Sequence, residues 1–349
     1  MTASTVPAPP ADLPTRLDRA YAAAAKLSGE HRHTLRPAGL ALEASFAGQE
    51  LHELLAPALL HAATDITESD AARLRVWSGD PDDAETRLIS RLGGYAPDAE
   101  IRLRTDDYLL SYRENLGILT AWCPWTRTGH VRILPSAVVP AYEKGCPMRT
   151  FFHWWLRESG LTLVHAGAVG RQGRGVLLAG KAGLGKSTCA FACLRAGLDY
   201  TGDDFTAVSL AGGAVEARAL YGSVKLESAH LRAIASGMPL SGEALGNGKE
   251  LLFVDRVFEG RLASRLAVKA VLVPRRTGYA ETTVRRISAV RCLTALAPST
   301  IFQLNSRSAT DLGPLAEIVR RLPCYVIEMG RDIADIPKRI GELLGTGSA

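Results

Sequence analysis

Residues 180–188 read Gly-Lys-Ala-Gly-Leu-Gly-Lys-Ser-Thr, the pattern G-x-x-x-x-G-K-S, directly after the apolar run Val176-Leu177-Leu178-Ala179. No other feature constrains the fold as strongly. A buried strand must enter a tight glycine turn, and a helix must open at Lys186. Gly180, Gly183 and Gly185 let the backbone curl until its N–H groups converge on phosphate oxygens. Lys186 adds positive charge for the β- and γ-phosphates, and the Ser187 hydroxyl can join the shell of a divalent cation. The expected nucleotide-binding segment is Gly180, Ala182, Gly183, Leu184, Gly185, Lys186, Ser187 and Thr188, with ATP and Mg2+ as cofactors. A glycine turn without a ligand leaves Lys186-Ser187-Thr188 unexplained.

The chain has 349 residues, enough for two domains, and 47% hydrophobic with 22% charged residues is ordinary globular composition. No apolar run reaches bilayer length, so no membrane association is expected. The first residues lack a basic stretch followed by an apolar core and read as a disordered leader over 1–14. A net charge of +5 is modest and calls for no nucleic-acid partner. Part of the excess lies in the doublets Arg275-Arg276 and Arg285-Arg286, read as a solvated face or as attraction for an acidic partner. Six cysteines without a C-x-x-C pair argue against a zinc site and fit a reducing cytoplasm.

Residues 15–145 carry no catalytic motif and read as an α+β domain, a place for substrate recognition. Helical spacing covers Ala11–Leu27 and Glu50–Thr64. Strand patterns cover Arg102–Leu119, with turns near Asp106-Asp107 and Asn115, and Gly129–Val139. His31-Arg32-His33 reads as a mobile polar segment. The catalytic domain is expected over 146–349. It opens with an aromatic helix, Met148–Glu158, and continues with the strands Leu161–Val169 and Gly175–Ala179. Their short Gly-containing connection predicts an antiparallel hairpin. A helix over Lys186–Ala196 follows, then a hairpin of Asp204–Leu210 with Val215–Leu220. Val268–Val273 and Cys324–Met329 read as strands. Ala289–Leu296 and Leu312–Leu322 read as helices on either side of a break at Pro298, and Ile333–Leu344 as a terminal helix.

Thr201-Gly202-Asp203-Asp204 is the second chemical constellation. A phosphate-loop site needs a carboxylate for its metal, and a kinase gains from another near the acceptor hydroxyl. Adjacent carboxylates at the start of a strand point opposite ways and divide those tasks. His165, in Leu163-Val-His-Ala-Gly-Ala-Val169, reads on pattern alone as a hydrogen-bonded core residue.

The run from Val164-His165-Ala-Gly-Ala-Val169 through Gly180–Ser187 to Gly202-Asp203-Asp204 resembles the core of HPr kinase/phosphorylase. It is closer still to the HPr-kinase-like proteins of bacterial peptide-modification gene clusters. The intervals from His165 to the loop and from Lys186 to Asp203 match that family, whose core is shared with PEP carboxykinase. The resemblance implies an α/β fold, a mixed-sheet P-loop kinase core with the additional α+β N-terminal domain. It implies Asp203 as acid/base, Ser187 and Asp204 on the metal side, and His165 near the transferred phosphate, with Lys186 completing the catalytic set. It also implies a homo-oligomer. The Glu-Arg/Lys-Arg-Gly-Leu-Gly signature of true HPr kinases is absent. Ala219-Leu-Tyr-Gly-Ser-Val-Lys-Leu-Glu227 stands there, and Lys225 reads either as a residue near the site or, by default, as a surface lysine.

The expected activity is therefore ATP-dependent phosphoryl transfer to a hydroxyl, with a serine of a protein or peptide as acceptor. A sugar or other small alcohol is the alternative acceptor, and a regulatory nucleotide-binding module with little turnover is the alternative class. PEP-carboxykinase chemistry fits poorly, because no second Lys/His metal set stands at recognisable spacing.

Overall fold

Helix α1 (Leu13–Ser28) buries Leu13, Leu17 and Tyr21, one residue per turn on a single face, with Pro14 near its start where its missing N–H costs nothing. The computed structural model describes residues 10–79, 100–135, 139–228, 231–232, 242–246, 248–304 and 311–345. Residues 1–9 of the expected leader lie outside these, and Leu13 already belongs to α1. The chain divides into two compact units, 1–36 with 40–155 and 37–39 with 156–349.

The first unit holds a seven-stranded sheet in the order β1-β2-β3-β7-β6-β5-β4. Its strands are β1 (Glu30–Leu35), β2 (Leu42–Ala47), β3 (Ala72–Ser78), β4 (Glu100–Arg104), β5 (Leu109–Arg113), β6 (Ile118–Cys123) and β7 (Thr128–Ile133). β3 lies parallel to both β2 and β7, and the other pairs are antiparallel. α1 packs its buried face with Trp77, Leu110 and Leu119. The expected polar segment at His31-Arg32-His33 is instead β1, hydrogen-bonded along its length to β2. The helix expected over 50–64 is shorter: α2 (Gln49–Leu55) gives way to a 3-10 turn at Leu60–Ala62, because Pro57 has no N–H to continue it. The strand expected over 129–139 ends at Ile133, and residues 136–138 lie outside the described ones. In α3 (Arg149–Glu158), Phe151 meets Trp122 edge-on and stacks on Trp155. Gly129 makes room for that ring, since a Cβ there would sit 2.3 Å from Phe151.

The second unit is a mixed α/β layer structure. Its nine-stranded sheet runs β11-β9-β10-β17-β13-β12-β8, with β19 on β17 and β18 on β19. β8 is Leu161–Val164, β9 Ala166–Arg171, β10 Arg174–Ala179, β11 Asp199–Gly202, β12 Thr206–Ser209 and β13 Glu216–Arg218. β17 is Arg265–Arg276, β18 Thr283–Arg286 and β19 Cys324–Met329. β9 and β10 form the expected hairpin, turning at Gln172 and Gly173, both with positive φ as a two-residue turn of the primed type requires. On its other side β10 runs parallel to β17, and β17 parallel to β19. The segment read as one strand over 161–169 changes partner at His165: β8 pairs with β12, β9 with β10 and β11.

Side chains of β10 alternate between two cores. Val176 and Leu178 pack with α4 (Lys186–Arg195) and α7 (Asp335–Leu344). Leu177 and Ala179 pack with α5 (Ala289–Gln303) and α6 (Leu312–Arg321). Cys189 and Cys193 lie fully buried in the α4 core. No break occurs at Pro298. α5 runs through it, and the hydroxyls of Ser299 and Thr300 both donate to the Leu296 carbonyl. A separate three-stranded sheet, order β14-β16-β15, comprises β14 (Ser223–Glu227), β15 (Glu243–Ala244) and β16 (Lys249–Phe253). No helix among the described residues is long and apolar enough to cross a membrane.

Candidate active site

The loop between β10 and α4 takes the turn that its glycines permit. Gly183 and Gly185 have φ of 85° and 102°, and a Cβ on Gly185 would lie 2.3 Å from the Met329 methyl. Lys186 starts α4, and its Nζ turns back to donate to the Gly180 carbonyl at 2.7 Å. Burial lowers the Lys186 pKa, an effect that Asp204 and Asp203 partly oppose. In the same first turn of α4, Arg276 Nη2 donates to Thr188 Oγ1 at 3.2 Å.

Asp203 and Asp204 stand in the bend between β11 and β12, not on a strand. The two carboxyls share Lys225 as a neighbour, through different groups, and otherwise have different partners. The Lys225 main-chain N–H donates to Asp203 Oδ2 at 3.4 Å, and Ser187 also hydrogen-bonds Asp203. Lys225 Nζ lies 2.5 Å from Asp204 Oδ2, and His165 Nε2 lies 3.8 Å from Asp204 Oδ1. Of the two readings of Lys225, the default surface lysine does not hold. The residue is 9% exposed and sits on β14, registered opposite Leu251 of β16. His165 is held through its main chain, whose N–H donates to Thr300 Oγ1 at 3.1 Å, and its ring lies against Phe205.

Electrostatics separate the two carboxyls. Burial, then the neighbouring Asp204 charge, pushes the Asp203 pKa above the usual carboxylate range. Burial acts on Asp204 the same way, but the Lys225 ammonium and His165 outweigh it and hold that carboxyl well below the ordinary value. Burial also lowers the His165 pKa, which favours the neutral ring. The site thus pairs a carboxyl that readily takes a proton with one that stays ionised.

The residues fit a divalent cation of the Mg2+ type. Asp203 Oδ1 is buried without a hydrogen-bond partner. No cluster of three or more His, Cys, Asp or Glu among the described residues forms a metal cage. Mg2+ needs none, since it takes one or two carboxylates and fills its shell with water and substrate phosphates.

The sequence-derived site residues Lys186, Ser187, Asp203, Asp204 and His165 are therefore brought together. On sequence Arg276 has no place in this set, and Lys225 enters only as the alternative to a surface lysine. No short-range pattern marks either, although Lys225 does lie where the HPr-kinase signature would stand. The other half of the first arginine doublet, Arg275, pairs with Glu328, as does Arg285. A cavity of about 570 Å³ in the first unit, lined by α1 and β1–β3, contains none of these groups.

No family model and no curated protein matches the chain. Among solved structures, the Hpr(Ser) kinase/phosphatase from Coxiella burnetii aligns over 53% of this chain and 94% of its own, at 13% identity and a TM-score of 0.30.

Proposed function

We propose that the protein is an ATP-dependent kinase that transfers the γ-phosphoryl group to a hydroxyl, with a serine of a protein or peptide as acceptor. The observation that supports this most is the convergence of Lys186 and Ser187, at the head of α4, with Asp203, Asp204 and His165. Main-chain N–H groups at the start of α4 and the Lys186 ammonium bind the phosphates of ATP. Asp203 accepts the proton of the acceptor hydroxyl. As that oxygen bonds to the γ-phosphorus, the bond from phosphorus to the β–γ bridging oxygen breaks, and ADP leaves with the electron pair. Mg2+ held by Ser187 and Asp204 would neutralise charge on the β- and γ-phosphates. Neutral His165, anchored by Thr300, borders the transferred group. A buried lysine, an ionised carboxylate and a proton-accepting carboxylate supply the positioning and electrostatics on which phosphoryl transfer depends.

The serine acceptor rests on the motif resemblance. The test incubates the full chain with γ-labelled ATP and a panel of serine-containing peptides, proteins and small alcohols, then locates the label by mass spectrometry. Label on seryl oxygens that disappears in Asp203→Asn supports the reading. Label confined to small alcohols, or absent throughout, defeats it.

A further inference from the structure

Lys225 touches both carboxylates of the site through two different groups. Its N–H reaches Asp203 Oδ2 from a main chain fixed in the β14–β16 ladder, while its ammonium lies on Asp204 Oδ2. The backbone contact makes the residue a fixed post, and the four-carbon side chain makes its charge movable. His165 is the other group on Asp204, at the longer distance of 3.8 Å. A divalent cation that used Asp204 would meet the Lys225 ammonium on the same carboxylate, and two cations at that separation repel strongly in a site so little exposed to water.

We infer that Lys225 is a tethered cation that competes with a divalent cation for Asp204 and gives up that carboxylate when the metal arrives. The metal and Lys225 compete for one carboxylate. Paired with Asp204 beside buried Asp203, the ammonium weakens the hold of the two carboxyls on metal. With metal and nucleotide present, the ammonium is released within a side chain's reach of Asp204, where phosphate oxygens are the nearest anions on the kinase reading. The placing of the metal on Asp204 and this last step rest on that reading. Lys225 is a positioning residue, since in the described state it acts through Asp204.

The test uses Mn2+ as probe and the full chain without nucleotide, following free Mn2+ by electron paramagnetic resonance. Lys225→Gln is expected to bind Mn2+ about tenfold more tightly than the wild type, because a competing charge is gone. Lys225→Arg should stay weak, and Asp204→Asn in the Lys225→Gln background should erase the gain. A merely structural lysine predicts the opposite, weaker binding after its removal. Unchanged or weaker Mn2+ binding in Lys225→Gln overturns the inference. If that variant does not fold, the wild type carries the test: saturating Mn2+ should raise the acetylation rate of Lys225 severalfold by peptide mass spectrometry, and an unchanged rate overturns it. Neither readout involves phosphoryl transfer, so a failure of the kinase reading leaves both measurements meaningful.

Discussion

Lys186 Nζ is bound to the carbonyl oxygen of Gly180 at 2.7 Å, so the lysine and the glycine that open and close the glycine-rich turn are tied together. The loop is held in a cradle shape by the same ammonium that would bind phosphate. Lys186→Ala removes a charged hydrogen-bond donor. ATP affinity is expected to fall about 10- to 100-fold, from about 1.5–3 kcal/mol for such a contact. Titration calorimetry with ATP checks this, and wild-type affinity in the variant would contradict the phosphate-loop role.

The two aspartates should separate by function. On the proposed mechanism Asp203→Asn removes the proton acceptor and is expected to lower kcat by about 10²- to 10⁴-fold while ATP still binds. Asp204→Asn should instead raise the Mg2+ concentration needed for half-maximal rate. Steady-state rates at varied Mg2+ distinguish them, and equal metal dependence in both variants would count against the division.

The Arg275-Arg276 doublet should split in the same way. Arg276 reaches Thr188 at the head of α4, whereas Arg275 is paired with Glu328. Arg276→Ala is expected to weaken ATP and ADP alike by about tenfold, the loss of one charge-assisted contact. Arg275→Ala should leave both nearly unchanged. Fluorescent-nucleotide displacement measures each, and equal losses in the two variants would show that only general positive charge matters.

A pH effect is expected from the first unit. His33 Nε2 and His52 Nε2 are 2.8 Å apart, so one ring must donate and the other accept. Burial lowers both pKa values, with the charge of His31 and, for His33, of His52 acting in the same direction, and Glu53 opposing at His52. The folded pKa values lie below the unfolded value of 6.5, so the unfolded chain takes up protons first. Stability from these rings is therefore full above that value and is lost as pH falls through the window beneath it. Urea unfolding between pH 8 and pH 5 should show this loss, and His52→Gln should flatten it. An unchanged slope in the variant would mean that other groups carry the acid sensitivity.

The strands β10 and β19, the helix α4 and the phosphate-type loop were legible in sequence because their determinants are contiguous. An apolar run, glycines at set offsets and a lysine-hydroxyl pair need no distant partner to be recognised. β1 was not legible. His31 and His33 stand on a half-exposed edge strand, where polar residues carry no alternating apolar signal, and only pairing with β2 fixes their conformation. Pro298 reads as a helix stop, yet α5 continues through it to Gln303.

The sequence by itself determined which atoms could bind phosphate and that two carboxylates stand downstream of them. The tertiary structure alone decided what surrounds those carboxylates. The bend between β11 and β12 turns both toward one site, and β14 places Lys225 on them from 22 residues away. The C-terminal end of β17 brings Arg276 to Thr188, and α5 brings Thr300 to His165. Each of these contacts joins segments far apart in the chain. Strand register and helix packing set their distances, and no local pattern of residue types encodes them.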